Sequence, residues 1–169
     1  MRSRRSVLAA ALLLIASSVV TPSAGQLFVP TGGHTLRSLP GVEVIVETIP
    51  MALQRAGLTQ ASVGLDVARS LQAAGVVVFP SQPANPSVAK AFLDVRTTLL
   101  ALPDGSYAVA VQMHVRQTVA SLVTESRVVN AATWETGSLV HLAALDLSRV
   151  RDEIQGMTKE FLADWKAAH

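Results

Sequence analysis

The feature that most constrains this fold is residues 91–122, in which apolar residues recur at nearly every second position on either side of Leu102-Pro103-Asp104-Gly105. Alternation with a period of two is typical of half-buried β-strands. A three-residue turn, with Pro103 at its second position and Gly105 in the left-handed conformation, pairs odd-numbered residues of the two arms. We therefore predict a long β-hairpin in which Leu99 faces Val109, Val95 faces Met113, Asp94 faces His114 and Arg96 faces Gln112.

This register gives the hairpin two unlike faces. One is apolar and should line the core: Leu93, Val95, Leu99, Val109, Val111, Met113 and Val115. The other mixes charged, polar and apolar side chains: Phe92, Asp94, Arg96, Leu100, Gln112, His114 and Arg116. An apolar patch beside charged groups favours contact with a protein partner, so these seven residues are the first candidate binding site.

The remaining patterns predict an α+β fold with a mixed, mostly antiparallel sheet of about five strands. Strands are expected at residues 42–48, 76–79 and 127–134, in addition to the hairpin. A helical turn at 50–56 stops at Gly57, a helix follows the N-cap Thr59 and ends at Gly75, and a C-terminal helix follows Asp146. Apolar stripes at helical spacing place the two longer helices on one face of the sheet, in the order β-α-β-β-β-β-α.

The amino terminus predicts export. Residues 1–25 combine a basic start, an apolar run and a small-residue end, as in a cleavable signal peptide with cleavage near Gln26. Arg4 and Arg5 also fit the twin-arginine pattern, so the general secretory route and the twin-arginine route are both open. Residues 26–39 are expected to form a flexible lead-in and residues 40–169 a single domain, with no transmembrane segment in the mature chain.

Composition limits the classes of partner. The 169-residue chain has a net charge of +2, but three of its basic residues lie in the first five positions. Without residues 1–25, eleven basic side chains face twelve acidic ones, which removes the electrostatic case for nucleic acid. The absence of cysteine excludes disulfides, thiolate metal sites and a lipid-bearing cysteine. No cofactor motif is present, and the oligomeric state is left open.

Two groups could carry chemistry. Asp94 beside His114 could fix an imidazole for general-base work, which makes a small hydrolase an alternative function, although no nucleophile can be placed near them. The second group is a turn at residues 134–138 with His141 close after it, where Glu135 and His141 could meet. Two ligands are too few for a metal site, so we predict a structured loop anchored by a buried Trp134, with a small-ligand site as the alternative.

The order of segments also resembles known proteins. Small exported bacterial α+β proteins of no assigned function resemble the chain in the order of these segments: GVEVIVETI, LQRAGLT, DVARSLQAAGV, AFLDV, SYAVAVQMHVRQTV, AATWETGS and VRDEIQGMTKEFLADW. More distantly, the layout is similar to the envelope domains of TolB-like proteins and of lipoproteins that activate peptidoglycan synthases. The resemblance implies a sheet backed by helices that presents a surface to a partner in the bacterial envelope, without catalytic residues. We therefore expect a non-enzymatic periplasmic or secreted interaction module.

Overall fold

The computed structural model describes residues 33–37, 39–81, 91–120 and 127–169. Its elements, in chain order, are α1 (Gly33–Leu36), β1 (Val42–Val46), α2 (Met51–Arg55), α3 (Gln60–Ala73), β2 (Ala91–Ala101), β3 (Tyr107–Ala120), β4 (Arg127–Leu142) and α4 (Leu147–Ala168). The four strands form one sheet in the order β1-β2-β3-β4, with β1 parallel to β2 and the other pairs antiparallel. The predicted α+β class with a mixed sheet is confirmed, with four strands rather than five.

The hairpin has the predicted register. Val95 lies opposite Met113, and Leu99 lies opposite Val109. Gly105 has φ +81°, and its N–H donates to the carbonyl of Leu102 at 3.0 Å, as the three-residue turn requires. The apolar face is the core: every predicted member is fully buried except Leu99, which is half-buried.

Both long helices cover this same face. The side chain of Thr59 caps α3, and the side chain of Asp146 caps α4. Their apolar stripes are buried: Val63, Val67 and Leu71 in α3, and Val150, Ile154, Met157, Phe161 and Trp165 in α4. An ion pair of 2.9 Å joins Asp66 on α3 to Arg151 on α4. The opposite face of the sheet is therefore covered by none of the described helices.

Three expectations were wrong. Residues 76–79 form a single parallel bridge between Val42 and Val78, because they contact only one end of β1, and Val77 is 53% exposed. Residues 33–39 are not a flexible lead-in over their described part, since Leu36 and Leu39 are buried in the core. Residues 26–32, like the signal peptide and residues 82–90, lie outside the described part of the chain.

The third wrong expectation was a turn that ends the strand at residues 135–138. β4 runs through these residues without interruption. Pairing with β3 holds this segment extended, with Gly137 opposite Gln112 and Thr136 opposite Met113. Two irregularities instead lie earlier in β4. One falls between the partners of Gln117 and Val119; at the other, Val115 pairs with Trp134 and Arg116 with Ala132, so that Thr133 is the extra residue of a β-bulge.

Candidate functional site

The side of the sheet away from the helices, here called the outer face, is built by alternate residues of all four strands. Residues that pair across β2, β3 and β4 form rows, here called rungs. From one end to the other the rungs are Phe92, Arg116 and Ala132; Asp94, His114 and Glu135; Arg96, Gln112 and Gly137; Thr98, Ala110 and Leu139; and Leu100, Ala108 and His141. All seven residues of the first predicted binding site therefore point to the same face of the sheet, although Asp94 is buried there.

A buried ion pair occupies one end of the outer face. Asp94 is only 1% exposed, and both of its oxygens accept hydrogen bonds from Arg116, at 2.6 Å to Nε and 2.5 Å to Nη2. These hydrogen bonds raise the pKa of the Arg116 guanidinium, which also lies 5.6 Å from the ring centre of Phe92. The three side chains form a fixed structural unit.

His114 lies beside this pair without joining it. Its Nε2 is 3.5 Å from Asp94 Oδ2, whereas Asp94 is already bonded twice to Arg116. A contact of that length is at most a weak hydrogen bond, and the carboxylate has stronger partners. Asp94 is therefore poorly placed to fix the tautomer of His114, as a general base would need.

Arg96 belongs to a second ion pair at the β1 side. Its guanidinium binds Glu47 through two hydrogen bonds of 2.7 and 2.9 Å. These hydrogen bonds lower the pKa of Glu47, and Arg96 remains half exposed. The pair fixes the guanidinium while leaving part of it accessible to a partner.

A shallow depression of ≈ 480 Å³ lies between β2, β3 and β4 on the outer face. Its floor is open because Gly137 and Ala132 carry little or no side chain. The polar groups around it are Arg96, Gln112, His114 and Glu135. Among the described residues, no group of three or more His, Asp or Glu side chains could hold a metal ion.

The far end of the outer face is apolar and exposed. Leu100 on β2 is 61% exposed, and Leu139 on β4 is 74% exposed. Between them β3 presents only the small side chains of Ala108 and Ala110. Because β2 and β4 are two strand spacings apart, the two leucines flank a trough roughly 10 Å wide. Leu139 was not among the predicted binding residues, because its strand was expected to have ended.

The second predicted site is dispersed. Trp134, Glu135 and His141 belong to β4, so the loop expectation was wrong. Trp134 points into the core, where its Nε1–H donates to Asp164 at 2.7 Å and its ring meets Phe161 edge-on. Glu135 and His141 are both on the outer face but six strand residues apart, roughly 20 Å, so they do not meet.

His141 instead contacts the hairpin turn, in a cluster that sequence reasoning missed. Its Nε2 is 2.9 Å from Ser106 Oγ, and Ser106 Oγ donates to Asp104 Oδ1 at 2.5 Å. The single hydroxyl proton goes to the carboxylate, so the imidazole donates to the serine and does not activate it. The hydrogen bonds from Ser106 also lower the pKa of Asp104. Only the β3–β4 register, which places His141 beside Ala108, could have revealed this cluster.

No protein-family model and no curated protein sequence matches the chain. Among solved structures, the chain is similar to a dodecamer of a PelC variant from Paraburkholderia phytofirmans, with 18% identity, a TM-score of 0.40, and coverage of 68% of this chain and 81% of that one. A second PelC dodecamer from the same organism gives 16% identity, a TM-score of 0.37, and coverage of 69% and 84%. Likeness at this level identifies neither the family nor the function of the chain.

Proposed function

We propose that this chain is an exported, non-enzymatic binding module of the bacterial envelope, and that its outer face binds a protein partner there. The observation that carries the proposal is the exposure of Leu100 and Leu139 on a sheet face that the described helices leave uncovered. Solvent-exposed apolar side chains grouped beside polar ones are typical of protein-binding surfaces. The resemblance to TolB-like and synthase-activator envelope domains belongs to the same proposal.

The shape of the outer face suggests how a partner would bind. An apolar side chain of the partner fits the trough over Ala108 and Ala110, between the two leucines. Polar groups of the partner then reach the Gln112 amide and the Glu135 carboxylate, which are both exposed. Since each main cation of the face already has an acidic partner, apolar contact rather than net charge supplies most of the affinity.

The ion-pair geometry favours binding over the alternative of a hydrolase centred on Asp94 and His114. A hydrolase built on this pair would need Asp94 to position the imidazole of His114, and here both oxygens of Asp94 are engaged by Arg116. The two functions differ in the expected effect of His114→Ala. For a binding face, the substitution leaves partner capture nearly unchanged; for a hydrolase, it abolishes turnover of the substrate.

Capture from envelope extract tests the binding proposal. The bait variant Leu100→Asp with Gln112→Asp places two charges on exposed positions of the interior strands. The matched control is Leu65→Asp on α3, where the leucine is 50% exposed on the helical side. We expect wild type and control to recover the same protein, identified by mass spectrometry, and the double variant to recover at least tenfold less. Equal recovery by all three folded baits would contradict the proposal.

Export is proposed on the sequence of residues 1–25 alone. No helix within the described residues is both long and apolar enough to span a membrane. Sequencing the amino terminus of protein recovered outside the cytoplasm should give a start near Gln26. Protein found only in the cytosol, with residues 1–25 still attached, would refute export. Replacing Arg4 and Arg5 by Lys separates the routes, since only twin-arginine export should stall.

A further inference from the structure

β4 has a free edge. The strand is 16 residues long and pairs with β3 on one side, while no described strand pairs with its other side. Two of its carbonyls accept hydrogen bonds from side chains, Thr133 from Thr35 Oγ1 at 2.8 Å and His141 from Arg149 Nη1 at 3.3 Å. Between those two points, no described side chain bonds to the backbone of the strand. An edge of this kind is a template for pairing with another strand.

Apart from Arg149, whose guanidinium reaches the carbonyl of His141 and leaves its second lone pair free, the edge lacks the usual features that prevent such pairing. Proteins protect exposed edges with Pro, Lys, bulges or very short strands. Residues 134–142 contain no Pro, Lys or Arg, and their pairing with β3 has no irregularity. Their only ionisable side chains are those of Glu135 and His141, which are both exposed.

We infer that residues 134–142 pair antiparallel with the same residues of a second copy of the chain, about a two-fold axis at Ser138. In this register the Glu135 carboxylate lies opposite the basic side chain of His141 of the second copy, and the symmetry repeats the pair. Leu139 lies opposite Gly137 of the second copy, where the absent side chain leaves room for the leucine. The sequence of the strand is therefore complementary to itself in both charge and size.

Neighbouring registers lose this complementarity. Moving the axis to Gly137 sets Glu135 opposite Leu139, and moving it to Leu139 sets the two Leu139 side chains against each other. An axis between two residues would place the helices of the copies on opposite faces of the joined sheet. Of these registers, only the axis at Ser138 keeps the helices on one side and also sets an acidic side chain opposite a basic one. The result is a continuous eight-stranded sheet that brings two outer faces side by side.

A cysteine placed at the axis tests this interface. Cα atoms of directly opposed residues in an antiparallel pair are about 4.5 to 5.5 Å apart, which suits a disulfide. Since the chain has no cysteine, Ser138→Cys can form a disulfide only with a second copy. The matched control is Thr98→Cys, an exposed residue on the interior strand β2.

We expect mild oxidation of the purified mature chain at micromolar concentration to give a covalent Ser138→Cys dimer at least tenfold faster than a Thr98→Cys dimer. Equal rates, or a wild type that sediments as a monomer throughout that range, would overturn the inference.

Charge exchange tests the register itself. Glu135→Lys places a cation opposite His141 and should weaken the dimer at least tenfold in sedimentation equilibrium. Adding His141→Glu restores an oppositely charged pair and should recover most of the loss, with folding of both variants checked by thermal melting. A double variant weaker than the single one would contradict the register. Because Leu100 and Gln112 lie on other strands, failure of this interface leaves the partner-capture result unaffected.

Discussion

The charged end of the outer face depends on the buried carboxylate of Asp94. It is removed from water, and its charge is balanced by the two hydrogen bonds from Arg116. Burying a carboxylate is costly unless it is paired and hydrogen-bonded, so loss of the guanidinium leaves an uncompensated charge. Arg96 differs, because its partner Glu47 is about one-third exposed and can be hydrated.

Arg116→Met, which keeps much of the apolar stem over Phe92, should lower the free energy of unfolding by about 3 kcal/mol. Arg96→Met, the matched removal of an exposed arginine, should change it little. Urea denaturation of both variants measures the difference. Near-equal losses would contradict the assignment of Arg116 as the main partner of Asp94 among the described residues.

The sequence predicted which residues face each other here, but not which ones bind. The hairpin register placed Asp94 opposite His114, and that pairing is confirmed. The guanidinium of Arg116 nevertheless reaches diagonally across one rung and donates to both oxygens of Asp94. A planar guanidinium can donate two parallel hydrogen bonds to a carboxylate, whereas an imidazole can donate only one. Register follows from periodicity, whereas the choice between a direct and a diagonal partner depends on side-chain reach and burial.

At the scale of elements, two glycines have opposite roles although both lie in open space. Gly105 in the hairpin turn has φ +81°, a conformation that only glycine adopts without cost. Gly156 lies inside α4 and is exposed, with no neighbouring atom within 4 Å of an added Cβ. An added methyl group at Gly156 would therefore meet no neighbouring atom.

Alanine at these two positions should change stability in opposite directions. Gly156→Ala should raise the free energy of unfolding by about 1 kcal/mol, because alanine favours the helix. Gly105→Ala should lower it by about 1 kcal/mol or more, because the left-handed turn is strained for any other residue. Thermal melts monitored by circular dichroism provide the test, and shifts of the same sign would contradict this reading of the backbone.

At the scale of the whole molecule, local sequence explains the hairpin and both long helices, whereas β4 depends on distant contacts. Thr136, Gly137 and Ser138 have the local preferences of a turn, yet β3 holds them extended as part of a 16-residue strand. Because the strand was expected to end at residue 134, the exposure of Leu139, the contact between Ser106 and His141, and the free edge were not predicted. These features can be placed only once the pairing of β4 with β3 is known.

We propose that the outer face, and not the side covered by the helices, binds a protein partner. Site-specific photo-crosslinking in living cells tests it most directly, with a photoreactive amino acid at Thr98, Leu100 or Gln112 and, as control, at Leu65. We predict an adduct of one common mass from the three outer-face positions and none from the control. An adduct from Leu65 alone, or no adduct from any outer-face position, would contradict the claim.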